Sequence, residues 1–156
     1  MPRIHVSAVA EQVGTRYPAP HGGPCKTRGV RRLAEAVGLT QFGVNMVRLP
    51  PGAWSSQRHW HTHEDELVQV VSGEVVLVTD DGDAPLRAGD CAGFKAGVPD
   101  GHCFQNRSPN EAVLLVVGSR HPEDGGEYSD LDMKFEGNRY AGQGAFLHKD
   151  GTPYPR

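Results

Sequence analysis

Gln57-Arg58-His59-Trp60-His61-Thr62-His63-Glu64-Asp65-Glu66-Leu67-Val68-Gln69 gathers imidazoles and carboxylates more densely than any other stretch of the chain. Neutral imidazole and carboxylate are the side chains that bind zinc, manganese, iron, nickel and copper. Residues two apart share a face of an extended strand, so His59 and His61 form a two-toothed clamp with Trp60 turned the other way. Glu66 lies an odd number of residues from His61, and a straight strand would point it away from that clamp. Polar Thr62-His63-Glu64-Asp65 reads as the bend that corrects this, and Leu67-Val68-Gln69-Val70-Val71 as a fresh strand with Glu66 at its mouth. A single His beside an acid is more often a solvated surface pair than a ligand. Here the density and the parity together make His59, His61 and Glu66 three ligands of one ion.

Downstream, Gly89-Asp90 starts a second segment that ends in Gly97-Val98-Pro99-Asp100-Gly101-His102-Cys103-Phe104-Gln105-Asn106, with one further His after a turn rich in Gly and Pro. Gly52, six residues, His59-Trp60-His61, four residues, Glu66, six residues and Gly73 resemble the first motif of the cupin family, with one extra residue between the Gly and the first His. Gly89, Gly97, His102 and Asn106 resemble the second motif. Lys95 stands where the family usually has Pro, and His102 follows Gly97 two residues late. The resemblance spans about residues 42–119 and implies a double-stranded β-helix, the cupin or jelly-roll barrel. Carried over by position, it implies four metal ligands: His59, His61, Glu66 and His102.

The rest of the chain fits that frame. With 156 residues it makes about one domain, large enough to bury a core unaided. Twenty Gly and 12 Pro without a fixed period indicate short strands joined by tight turns, an all-β class. Residues 1–41 read as an N-terminal arm, broken by Pro18, Pro20, Gly22, Gly23 and Pro24, followed by one short helix over Arg28–Val37 that ends at Gly38. Residues 42–119 read as the barrel core: Phe42–Leu49 as a strand closed by Pro50-Pro51-Gly52, then runs at Leu67–Val71 and Val75–Thr79 flanking Ser72-Gly73, then Cys91–Phe94, the strand of His102, and Ala112–Val117. In residues 120–156, Leu131, Met133 and Phe135 alternate with charged residues as a half-buried strand, free to join its own sheet or a partner's. Cupin-like proteins often dimerise through such strands, so a homodimer is expected.

A net charge of −3 gives no general attraction to nucleic acid, and the local cluster Lys26, Arg28, Arg31 and Arg32 reads as a solvated helix face. Cys25, Cys91 and Cys103 are odd in number and lack paired spacing, which predicts reduced thiols rather than disulfides or a thiolate zinc site. Cys103, next to His102 on a strand, should turn its thiol off the metal. No apolar run reaches signal-peptide or membrane-span length, so a cytoplasmic protein without membrane contact is expected.

Four nitrogen and oxygen ligands without Cys argue against a closed structural zinc and leave one or two exchangeable positions on a six-coordinate zinc, manganese, iron or nickel ion. Inside a small barrel they sit at the base of a cup suited to a small-molecule ligand. By parity Gln57 and Phe104 are candidate walls, Lys95 is a candidate cation at the rim, and His63, Asp65 and Asp100 are candidate acids or bases. Trp60 and the ending Lys149-Asp150-Gly151-Thr152-Pro153-Tyr154 make the chain similar to small single-domain bacterial cupins labelled sugar phosphate isomerases. That resemblance implies an isomerase or epimerase of a sugar or sugar phosphate. An iron-dependent dioxygenase of a small organic substrate and a non-catalytic ligand-binding module are the alternatives.

Overall fold

A computed structural model describes residues 3–155. The strands are β1 (Glu11–Val13), β2 (Gly29–Arg32), β3 (Phe42–Leu49), β4 (His59–His61), β5 (Glu66–Ser72), β6 (Glu74–Thr79), β7 (Gly82–Arg87), β8 (Cys91–Phe94), β9 (Cys103–Gln105), β10 (Ala112–Ser119), β11 (Gly126–Tyr128), β12 (Lys134–Glu136) and β13 (Ala145–Leu147), with helix α1 (Leu33–Ala36) between β2 and β3. They form a six-stranded sheet in the order β1-β2-β3-β10-β5-β8, a four-stranded sheet β13-β12-β11-β4 and a three-stranded sheet β7-β6-β9. All pairings are antiparallel. An isolated bridge between His59 and His102 joins β4 to the start of β9, so the two smaller sheets act as one layer facing the larger sheet. This is the all-β double-stranded β-helix that the motif resemblance implied. Among the described residues no helix is long and apolar enough to cross a membrane.

Side-chain alternation sets what the cup contains. The inward residues of β3 run Gly43, Asn45, Val47, Leu49, and those of β10 run Gly118, Val116, Leu114. On β5 they run Glu66, Val68, Val70. Each series passes from small or polar at the mouth to apolar at the floor, where Val47, Leu49, Val68, Val70, Val75, Phe104 and Leu114 form the main core. Burying a Val or Leu side chain contributes about 1.5–3 kcal/mol, so the floor anchors the sheets while the mouth is left open to chemistry. Gly73 makes the tight β5–β6 reversal possible: its φ is 79° and a Cβ would meet Glu111 O at 2.7 Å.

Three expectations are corrected. The helix expected over Arg28–Val37 is a strand followed by a single turn of helix: β2 pairs with β3, Val30 opposite Val47, and only Leu33–Ala36 is helical. Burial of Val30 against the core outweighs the helical spacing of Leu33, Ala34 and Val37, and the helix still ends at Gly38, with φ 74°. The basic cluster is not a solvated helix face. Arg28 donates to the carbonyls of Gly14 and Ser55, Arg31 to that of Val9, and Arg32 to the Gln12 side chain, so these cations staple the arm, whose β1 extends the large sheet. The strand read at Leu131–Phe135 is shorter: residues 129–132 form a turn and β12 begins at Lys134. It pairs on both sides within the chain, with β11 and β13, leaving no free edge there for a partner's sheet.

Candidate metal centre

Strand β4 holds His59 and His61 on one face by pairing with β11, His61 opposite Gly126 and His59 opposite Tyr128. The bend after it is built by side chain to backbone bonds. Gly125 N donates to Thr62 Oγ1 at 2.9 Å, Asp65 N donates to Ser119 Oγ at 2.9 Å, and Ala96 N donates to Asp65 Oδ1 at 2.8 Å. This turn reverses the parity and aims Glu66 inward, as its spacing required. His102 comes from the same layer as His59, opposite Glu66, locked to His59 by reciprocal backbone bonds of 3.2 and 2.9 Å and stacked on Phe94 with ring centroids 3.5 Å apart.

Three of the four side chains, His59, His61 and Glu66, converge, and His102 joins them through Glu66. His59 Nε2 and His61 Nε2 lie 3.2 Å apart, and His102 Nε2 lies 3.0 Å from Glu66 Oε1. The ligating atoms of His59, His61 and Glu66 all fall within 4.8 Å of one another. An ion about 2.1 Å from two neighbouring donors at a right angle separates them by about 3 Å, so these spacings fit a transition metal. Tautomers agree. His59 Nδ1 is 2.9 Å from the Gln57 carbonyl and His61 Nδ1 is 2.8 Å from Asp124 Oδ2, both pure acceptors, so each ring carries its proton on Nδ1 and turns the Nε2 lone pair inward. Two lone pairs 3.2 Å apart repel unless a proton or a metal ion lies between them.

Electrostatics point the same way. Burial, with His61 and His102 beside it, drives the His59 pKa down to about 3, so the ring is neutral. Burial alone would raise Glu66, but the His102 hydrogen bond and the surrounding imidazoles outweigh it and hold the carboxyl at about 2.

Residues 45–118 match the family model described as Cupin domain. A crystal structure of a sugar phosphate isomerase from a cupin superfamily, from Silicibacter pomeroyi DSS-3, is 45% identical, covers 99% of this chain and 97% of its own, and superposes with a TM-score of 0.93. This chain belongs to the cupin superfamily. A protein from Acidithiobacillus ferrooxidans ATCC 23270, provisionally named a sugar phosphate isomerase, is 26% identical over 96% of this cupin and 90% of its own chain, with a TM-score of 0.78. The polyketide cyclase RemF from Streptomyces resistomycificus shares the fold at 20% identity over 76% of this chain and 79% of its own, with a TM-score of 0.62. Comparison with curated proteins finds no match.

In this cupin the four candidate ligands line a cavity of about 710 Å³ that runs from the centre beneath β10, β3 and β2 toward the N-terminal arm. Phe104 lines it as expected. Gln57 does not: its amide donates to the His21 carbonyl at 2.7 Å and ties the arm down. His63 is exposed and stacked on His121, with ring centroids 4.8 Å apart. Asp65 holds the bend, Asp100 accepts from Asp80 N at 2.8 Å, and Lys95 is exposed. None of these four lines the cavity, because the turns that carry them fold outward. The Cys103 thiol is buried off the cavity, and all three cysteines are free.

Sequence reading missed a buried acidic pair behind His61. Asp124, 1% exposed, accepts from His61 Nδ1, His63 N and Arg139 Nη2 at 2.8, 3.0 and 2.8 Å. Glu64 accepts from Arg139 Nη2 at 2.6 Å, His121 N at 3.0 Å and the Tyr140 hydroxyl. Despite its burial, Asp124 is held below the usual carboxylate range by its bonds to His61 and His63 and by Arg139. Glu64 stood inside the stretch read first but looked like turn polarity. Asp124 and Arg139 arrive from distant loops with no local signal. Tyr17 and Tyr128 pack edge to face, centroids 5.4 Å apart, on the His59 side of the cavity.

Proposed function

We propose that this cupin binds one divalent transition-metal ion through His59, His61, Glu66 and His102 and isomerises or epimerises a small polyhydroxylated molecule, such as a sugar phosphate. The carrying observation is the pair of inward Nε2 lone pairs at 3.2 Å, each fixed by an acceptor behind its ring, with the Glu66 carboxylate within ligand reach of both. When bound, the ion would supply Lewis acidity toward a carbonyl or hydroxyl oxygen. The chain's own residues do the rest. Asp124 and the Gln57 carbonyl hold the ring tautomers, Phe94 fixes the His102 ring plane, and the buried floor excludes water from the far side.

Two further facts support this reading. The cavity is lined by five arginines, Arg16, Arg28, Arg32, Arg120 and Arg139, against three glutamates, Glu35, Glu64 and Glu66, so it favours an anionic substrate although the chain's net charge is −3. The Silicibacter pomeroyi protein, similar over nearly its whole length, is named a sugar phosphate isomerase.

The test combines elemental analysis of protein purified without added metal with NMR of aldose and ketose phosphates incubated with manganese-, zinc-, nickel- or iron-loaded protein. One ion per chain, lost in His59→Ala and Glu66→Gln, together with interconversion of an aldose and ketose or of two epimers, is the expected result. Uptake of no ion overturns the metal centre. Oxygen consumption by the iron form without isomerisation transfers the reading to a dioxygenase.

A further inference from the structure

Asn45 breaks the apolar inner face of β3. Its Oδ1 is buried without a partner, and its carboxamide makes no hydrogen bond among the described residues. An unpartnered buried amide costs about 1–3 kcal/mol, so a purely structural strand would carry an apolar residue there. The side chain lines the cavity of the four candidate ligands.

Register locates it relative to them. Asn45 pairs with Val116 on β10, which pairs with Val68 on β5, two residues from Glu66. Two strand spacings and two residues of rise put Asn45 roughly 12 Å from Glu66 between Cα atoms. The two side chains rise side by side from one face and keep roughly that separation; subtracting an ion–ligand distance of about 2 Å and a hydrogen bond of about 3 Å leaves roughly 7 Å, the length of a five- or six-carbon chain. Gly43 and Gly118, side by side in the row of Glu66, leave the wall between them without side chains, while Val68 and Val116 supply a flat apolar floor. Arg32, opposite Asn45 on β2, lies at the far end.

Building on the metal-centre reading, we infer that Asn45 is a specificity residue: its carboxamide hydrogen-bonds a hydroxyl of a five- or six-carbon polyhydroxylated ligand whose other end lies at the four-ligand centre. Rotation about χ2 presents either amide atom, so a hydroxyl is met as donor or acceptor.

The experiment compares wild type with Asn45→Val, which suits a strand beside Val47 and Val116. Manganese uptake and thermal midpoints are measured first. Ribose 5-phosphate, fructose 6-phosphate, mannose 6-phosphate and their unphosphorylated counterparts are then titrated calorimetrically into the manganese-loaded proteins. The variant is expected to take up manganese normally and to melt at or above the wild-type temperature without sugar. It should bind the best probe about ten-fold more weakly. Unchanged affinity for that probe overturns the inference, as does a midpoint several degrees lower without sugar, which would make Asn45 structural. Wild type that takes up manganese but binds no probe also overturns it. Failure of manganese uptake is a separate readout that strikes the metal-centre reading.

Discussion

Replacing Asp124 by Asn tests the orienting role of the carboxylate behind His61. The side chain is 1% exposed, and its two oxygens accept from three donors, His61 Nδ1, His63 N and Arg139 Nη2. A carboxamide of the same shape has one acceptor oxygen and one donor NH2, so it cannot serve all three in either orientation. With its oxygen toward His63 N, the NH2 faces His61 Nδ1 and stabilises the tautomer protonated on Nε2, which blocks the ligating lone pair. With its oxygen toward His61, the NH2 confronts the His63 N–H, and the bond to the imidazole loses its charge assistance. The first route reduces metal binding by tautomer, the second by basicity. Loss of such a supporting carboxylate costs about 10- to 100-fold in metal affinity, about 1.4–2.8 kcal/mol. The donor left unpaired costs a further ~1–3 kcal/mol of fold stability, about 2–10 °C in the midpoint of the metal-free protein. Calorimetric titration with manganese and a melting curve in chelator measure the two separately. A folded Asp124→Asn variant that binds manganese within about three-fold of wild type refutes the role given to this residue.

Leu114 is fully buried in the floor, so Leu114→Ala should cost about 2–5 kcal/mol in urea unfolding while the folded protein keeps its metal stoichiometry. Gly126→Ala should lower stability and metal affinity together, because the new Cβ would fall within the van der Waals shell of Trp60 O and 2.7 Å from the Phe135 ring, forcing β11 off β4. Acid should destabilise the metal-free protein. His59 at about 3 and Glu66 at about 2 both lie below their unfolded values, so the unfolded chain binds each proton first; stability falls as pH drops from about 6.5 to 3 through His59 and from about 4.5 to 2 through Glu66. Melting in chelator across that range checks the sign, and a midpoint that rises on acidification contradicts it.

The clamp was legible because period-two geometry and ligand chemistry coincide in a dozen residues: His59 and His61 share a face in any strand, and the polar run before Glu66 signals the bend that brings it back. The all-β class was legible from turns recurring between short apolar runs, and the barrel from the resemblance carried by the two motifs. Other features depended on packing that local sequence does not encode. Val30 is as compatible with a helix as with β2 until its pairing with Val47 is known, and Gln57 follows the parity of the ligands yet turns away to the His21 carbonyl. His63, Asp65 and Asp100 have acid–base chemistry and the right neighbourhood in sequence, but their turns spend it on stacking and on backbone donors outside the cavity.

The division between the matched domain and its flanks bears on where specificity resides. Residues 45–118 contain all four candidate ligands together with Asn45, Val68 and Val116. The groups that orient and enclose that centre come from outside: Asp124 behind His61, Arg139 bridging Asp124 and Glu64, Tyr128 and Phe135 against His59, and Tyr17, Arg28 and Arg32 from the arm. Under the proposed function the ion's donors would all come from the barrel, while the shape and charge of the cavity belong largely to the two flanks. A barrel cut to the matched domain would keep the donors but leave His61 without its Asp124 acceptor and the cavity without its arginine-rich wall. Under the proposed function, substrate selection would fall to Asn45 and to parts of the chain that the ligand motifs do not describe.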